Sequence, residues 1–454
     1  MLRLEIGEKM KPGRPGYLVI IIYFIITFIA TACNFPVRHA YPQPTDTVGL
    51  PLATEIPATN TPMPMPDPTL TMTPLPTVTA TPLPTATPAY TPRVVAYFYG
   101  QNRDNQVTDI PVGSVTDILY AFIGISASGK CQLIEPALDK DRLNRLKEIK
   151  QQDPELHILI SIGGYNGSGR FSDIAADQDA RTRFVASCIA LMQSFNLDGI
   201  DVDWEYPVAG GLAGNSRRPK DKQNFTALMA DFRQQLDRQG QSSGRVYLLS
   251  LAAPAGPGEI PHFALLQLSS LVDWITLMAY DFTTSSSRIT NFNAPLFPVS
   301  NDPENPRYNV DTAVQTYLAL GVPAEKCVLG VPFYGRAWKG VSPDQKGLYQ
   351  ENMGPYVDPQ TPPGTWSESG EISYRALKEY YLSTWPRYWQ DQAQVPWLYH
   401  PDKRVWVTYD DPQSLGAKAD YARAKRLGGI AIWQISGDDK DHSLVNAITS
   451  HLIP

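Results

Sequence analysis

The 454-residue chain carries 39 Lys+Arg against 45 Asp+Glu, a formal net charge of −6, and 43% of its residues are hydrophobic. That length allows two or three ordinary domains or one large barrel with additions. Beyond Pro92 the balance is 34 basic to 40 acidic residues with no basic run, which argues against nucleic acid and other anionic polymers as partners and for a neutral ligand.

In chain order, residues 1–16 are basic, with Arg3, Lys9, Lys11 and Arg14, and YLVIIIYFIITFIATAC follows up to Cys33. A basic start, an apolar run and small residues before a cysteine form an export signal, and the run is shorter than the about 20 residues of a spanning helix. The ending ATAC resembles a bacterial lipoprotein lipobox, although Ala30 stands where Leu is usual. That resemblance implies lipidation of Cys33 as the first mature residue, with simple cleavage or an uncleaved anchor as the alternatives. Each route places the rest of the chain outside the cytoplasm, in the medium or tethered to the membrane at the cell surface. Residues 34–92 hold most of the excess among the 41 prolines, as in TPMPMPDPTLTMTPLPTVTATPLPTATPAYTP. A nearly uncharged Thr/Pro stretch with almost no aromatics buries no core and reads as an extended spacer.

From Arg93 onward, short β-rich runs alternate with amphipathic helical ones. The strand-like runs are VVAYFY from Val94, DILYAFIGI from Asp117, HILISIGG from His157 and GIDVDWEY from Gly199. YLLSLAAP from Tyr247, WITLMAYDF from Trp274, CVLGVPFYG from Cys327 and GIAIWQIS from Gly429 complete the set. Eight strand–helix units predict an α/β fold, a (β/α)8 TIM barrel over residues 93–453. Between strand 7 and the last helix the chain is too long for a minimal barrel, which predicts an inserted α+β subdomain at about 339–409. Apart from Cys33, the cysteines are Cys131, Cys188 and Cys327, so at most one internal disulfide is possible. Cys188 in FVASCIALM and Cys327 both read as small buried hydrophobes. No CxxC or His cluster suggests a metal.

The run LDGIDVDWEYP concentrates Asp198, Asp201, Asp203 and Glu205 in an otherwise apolar strand. Side chains two apart share a face, so Asp201, Asp203 and Glu205 point one way and Ile200, Val202 and Trp204 the other. In a barrel the acids then line the interior toward the strand's C-terminal end, where barrel active sites lie. Carboxyls about 6–7 Å apart along a strand raise one another's pKa, which favours a protonated acid near neutral pH. Glu205, longest and nearest the mouth, should meet the substrate; Asp203 is placed to share its proton, and Asp201 to hold Asp203. A Mg²⁺ or Ca²⁺ site and a structural charge network are the other readings.

DGIDVDWE resembles the DxxDxDxE signature of family 18 glycoside hydrolases, the chitinases and their relatives. SIGGYNGSG resembles their SxGG motif and LMAYDF their Met-x-Tyr-Asp, while NAPLF, GVPFYGRAW and GGIAIWQISGDD are similar to later motifs of the family. The resemblance implies a retaining, substrate-assisted cleavage of β-1,4-linked N-acetylglucosamine polymers, chitin first, with no metal or organic cofactor. Glu205 would be the acid/base, Asp203 would orient the substrate's acetamido group, and Tyr280 would hydrogen-bond its oxygen. It further implies that Trp433 floors the subsite beside the scissile bond. Tyr97, Phe122, Tyr206, Tyr334 and Trp338 are further aromatic candidates, Met278 a pocket-lining one, and Asp281, Asn293 and Arg336 candidates for hydrogen bonds to the sugar. Tyr165 follows SIGG where many chitinases carry Trp, which changes the stacking surface on the leaving-group side. Peptidoglycan and glycoprotein glycans are alternative substrates, a non-catalytic sugar-binding barrel is the rival reading, and a monomer is expected.

Overall fold

The computed structural model describes residues 90–453 except residue 305. The expected export segment with Cys33, and the spacer up to residue 89, lie outside the described residues.

Eight parallel strands close into a barrel: Arg93–Tyr99, Asp117–Ile125, His157–Gly163, Gly199–Asp203, Leu248–Pro254, Trp274–Met278, Cys327–Pro332 and Gly429–Trp433. Closure is made by the first strand, which pairs with both the eighth (Arg93↔Gly429) and the second (Val95↔Asp117). Helices such as Pro136–Gln152, Gln178–Ser194, Asp221–Ser243 and Val310–Ala319 cover the outside. The fourth strand shows why the alternation matters. Ile200, Val202 and Trp204 are buried under the helices, where Trp204 stacks on Phe171 at 5.3 Å and meets Phe225 edge-on at 5.4 Å. Asp201 and Asp203 occupy the opposite face, inside the barrel. Asp198 belongs to the other end of the barrel, where it pairs with Lys150 and with Arg245 at 2.9 Å.

The run CVLGVPFYG does not form one strand. Pro332 ends the seventh barrel strand, and after Phe333 the strand Tyr334–Lys339 joins a separate sheet. Proline has no N–H with which to continue the ladder, so the chain changes sheets there. The second sheet is five-stranded and antiparallel, in the order Glu371–Ser373, Tyr334–Lys339, Val405–Thr408, Val395–His400, Arg387–Gln390. With the helix Tyr374–Tyr380 it makes an α+β subdomain that begins at Tyr334, ahead of the expected boundary near 339. It is followed by the helix Pro412–Ala424, the eighth strand and the helix Ser443–Leu452. Its core is aromatic, with Phe292, Trp338, Trp397 and Trp406 packed together. Arg375 donates to the Asp438 carbonyl at 2.9 Å, and Lys378 pairs with Asp439 at 2.7 Å, fastening the subdomain to the loop after the eighth strand.

One cysteine reading is corrected. Cys188 is fully buried, but its sulfur is bonded to Cys131 across 57 residues. The partner becomes available because the chain after the second strand folds back as the short antiparallel strand Cys131–Gln132, next to the helix Gln178–Ser194. Among the described residues Cys327 has no disulfide partner, and burial pushes its thiol up to about 12.

Candidate active site

The site is built where the third and fourth strands end. Gly163 lets these strands approach, since a Cβ on it would lie 2.2 Å from the Asp203 carbonyl, and Gly164 makes room for the Phe122 ring of the second strand, 2.5 Å from where its Cβ would stand. Both glycines have positive φ, 107° and 74°, which side-chain-bearing residues rarely adopt. The Gly164 N–H donates to the Asp203 carbonyl at 2.8 Å, and the Ser168 hydroxyl accepts from the Glu205 N–H at 2.8 Å. Asn215 donates its side-chain N–H to the Glu205 carbonyl at 3.1 Å. The backbone of the acidic run is therefore held from both sides as it leaves the sheet.

Asp201 is fully enclosed and accepts from Ser250 at 2.6 Å, Ser161 at 2.7 Å and Tyr97 at 3.2 Å. Ser161 and Ser250 are its register partners on the neighbouring strands. Burial raises the Asp201 carboxyl despite these three donors. Asp203 is held well above the ordinary carboxylate range, first by burial and then by the charges of Glu205 and Asp201. Among the described residues its buried Oδ1 has no hydrogen-bond partner, which leaves an acceptor free in the site. Burial pushes Glu205 up to about 7; the hydrogen bond from Tyr206 opposes the rise and the Asp281 charge adds to it. Tyr280 has Asp203, Glu205, Asp281 and Asp201 around it, and burial followed by those charges holds its phenol protonated far into the basic range. The result is a row of two enclosed carboxyls and one half-buried acid, beside a phenol that keeps its proton and can donate it in a hydrogen bond.

The mouth is aromatic on one side. Trp433 stacks on Phe122 at 5.5 Å and lies 5.7 Å from Tyr97 and 6.1 Å from Tyr99. Trp433, Phe122 and Tyr99 are all partly exposed, so these rings keep a face toward the cleft. Met278 and Tyr206 are likewise partly exposed, and Tyr165 is exposed. The subdomain supplies another wall: Tyr334 donates to Asp281 at 2.6 Å, and Arg336 reaches the same oxygen through Nε at 2.9 Å and Nη2 at 2.7 Å. Arg336 also lies 3.4 Å from Glu371.

Two expected sugar contacts are placed elsewhere. Trp338 is wholly buried against Trp406, 5.7 Å away in the subdomain core, because Tyr334–Lys339 belongs to the second sheet and not to the barrel rim. Asn293 is wholly buried as well, and its oxygen accepts from the Asp281 N–H at 3.1 Å. Conversely, Ser161, Ser168, Ser250, Tyr99 and Glu371 were not singled out from the sequence. For Ser161 and Ser250 a signal exists, a lone hydroxyl inside an apolar strand at the level of Asp201.

Paired, strongly perturbed carboxyls at the C-terminal mouth of a parallel barrel, flanked by flat aromatic rings, define a glycoside hydrolase. Comparison with known proteins agrees. The sequence profile of glycosyl hydrolases family 18 matches residues 93–438. Chitinase A1 of Niallia circulans is 36% identical over 416 residues, covering 79% of this chain and 58% of that protein. Chitinase B of Serratia marcescens is 30% identical over 408 residues, covering 76% of this chain and 79% of that protein. Among solved structures, chitinase ChiA74 from Bacillus thuringiensis matches with a TM-score of 0.73 at 32% identity, covering 80% of this chain and 70% of that one. The Ostrinia furnacalis Group IV chitinase in complex with allosamidin matches with a TM-score of 0.72 at 30% identity, covering 80% and 99%. The chain belongs to family 18 of the glycosyl hydrolases.

Proposed function

We infer that the protein is a retaining chitinase that cleaves β-1,4-linked N-acetylglucosamine polymers with Glu205 as acid/base and the substrate's acetamido group as nucleophile. The observation that carries this reading is the juxtaposition of Asp203, whose buried Oδ1 has no partner among the described residues, with Glu205, held up to about 7. At neutral pH a substantial share of Glu205 is protonated and can give its proton to the glycosidic oxygen as that bond breaks. The acetamido carbonyl oxygen then attacks the anomeric carbon from the opposite face and closes an oxazolinium ring. Asp203 accepts from the acetamido N–H and offsets the positive charge, while Tyr280 donates to the acetamido oxygen and aims it. Glu205, now ionised, takes a proton from the water that opens the ring, so two inversions return the starting configuration. Trp433 and Phe122 supply the flat apolar floor for the sugar. The test is digestion of chitohexaose with the product anomers followed by NMR before mutarotation. The β anomer first supports the reading, and α anomer or no cleavage opposes it.

We further propose that the enzyme works outside the cytoplasm, tethered to the membrane through Cys33 and the spacer, as a monomer. The Cys131–Cys188 disulfide supports an oxidising compartment. Mass spectrometry of the mature N-terminus tests the lipid.

A further inference from the structure

We propose that Asn293 is a positioning residue for the hydrolysis, tying the inserted subdomain to the backbone of Asp281 and thereby setting where Asp281 stands beside Tyr280 and Glu205. This rests on the function inferred above, and it concerns a residue that is completely enclosed and so touches no substrate.

Asp281 has φ of 58°, a left-handed conformation that a side-chain-bearing residue keeps only when its surroundings hold it there. Asn293 holds it with two acceptors. Its side-chain oxygen takes the Asp281 N–H at 3.1 Å, and its carbonyl takes the Phe282 N–H at 3.1 Å. The N–H of Asn293 in turn donates to the Thr408 hydroxyl at 2.9 Å, and Thr408 is itself buried. Thr408 is the antiparallel register partner of Arg336 in the subdomain sheet. Arg336 closes the circuit on the Asp281 carboxylate, at 2.7 Å through Nη2. The subdomain thus grips Asp281 twice, by its carboxylate through Arg336 and Tyr334 and by its amide through Thr408 and Asn293. The side-chain N–H₂ of Asn293 is buried with no partner among the described residues, where the carboxamide is engaged through its oxygen. A carboxylate at this position would keep the oxygen but set a second negative charge beside Asp281.

The groups facing Glu205 are Asp203, Tyr206, Tyr280 and Asp281. The Asp281 charge is one of the influences that raise the Glu205 carboxyl, so a displaced Asp281 should let it fall.

The test compares Asn293→Ala, Thr408→Val and Thr408→Ser with the wild type on chitohexaose, measuring melting temperature, kcat/KM and the alkaline limb of the pH profile. Wild-type turnover tests the inferred function by itself; the variants test the circuit. Loss of the Asn293 oxygen is expected to lower kcat/KM by about tenfold to a hundredfold and to move the alkaline limb to lower pH. Thr408→Val should do the same to a smaller degree, and Thr408→Ser, which keeps the hydroxyl, should recover the wild-type limb. If Asn293→Ala does not fold, Thr408→Val decides. An active wild type whose folded variants keep its kcat/KM and its alkaline limb overturns the proposal. So does an activity loss that only follows the fraction unfolded, with no change of limb.

Discussion

The Tyr334 hydroxyl donates to Asp281 at 2.6 Å, joining the first strand of the inserted subdomain to the loop that follows the sixth barrel strand. The cleft is therefore not a barrel mouth with a decoration beside it. One wall is the barrel rim and another is a second sheet, and the polar groups of the two are shared.

Because Glu205 must carry a proton to act as the acid, activity should fall as the pH rises through its pKa. The alkaline limb of kcat/KM is expected near the value of about 7 to which burial pushes it. Asp281→Asn removes a charge that raises that value and should shift the limb to lower pH. Initial rates on chitohexaose between pH 4 and 9 check both.

The same carboxyl makes stability depend on pH. Its folded pKa, about 7, lies above the 4.5 of an unperturbed glutamate, so the folded state binds the proton more tightly. That contribution is fully present below pH 4.5 and is lost as the pH rises through about 7. Glu205→Gln, which cannot ionise, should therefore be more stable than the wild type at pH 8, by on the order of 3 kcal/mol, with the gap closing toward pH 4. Denaturant melts at the two pH values measure it; equal gaps at both would argue against a strained carboxylate.

Two tryptophans that look alike in sequence should behave oppositely. Trp433→Ala removes a partly exposed ring stacked on Phe122, and should lower kcat/KM by about a hundredfold with little effect on melting. Trp338→Ala empties the core of the subdomain and should cost about 3–5 kcal/mol of stability. Parallel kinetics and melts of the two variants separate the roles.

Removing the disulfide should cost about 2–4 kcal/mol, because Cys131–Cys188 closes a long loop. The Cys131→Ser/Cys188→Ser double variant should melt lower than the wild type and as the reduced wild type does. No difference on reduction would show that the bridge adds nothing.

The barrel was legible because its strands are short apolar runs at regular spacing. Its acid row was legible because a strand's period of two separates Asp201, Asp203 and Glu205 from Ile200, Val202 and Trp204. What stayed hidden depends on contacts between distant segments. The switch of sheets at Phe333 moved Trp338 from the rim into a core, although CVLGVPFYG reads as continuous β sequence. The Cys131–Cys188 pairing depends on a hairpin of only two residues, Cys131–Gln132, too short to show a periodic signal. Asn293 sits in NAPLF as a polar residue near the site, and only the fold shows that it serves the backbone of Asp281 and not a sugar.

The central claim is tested most directly by the turnover of Glu205→Gln on chitohexaose at pH 6, measured beside the affinity of the same variant for the uncleaved oligosaccharide. The account predicts that turnover falls by about 10²–10⁴-fold while binding is kept. A variant that retains most of the wild-type turnover would contradict it.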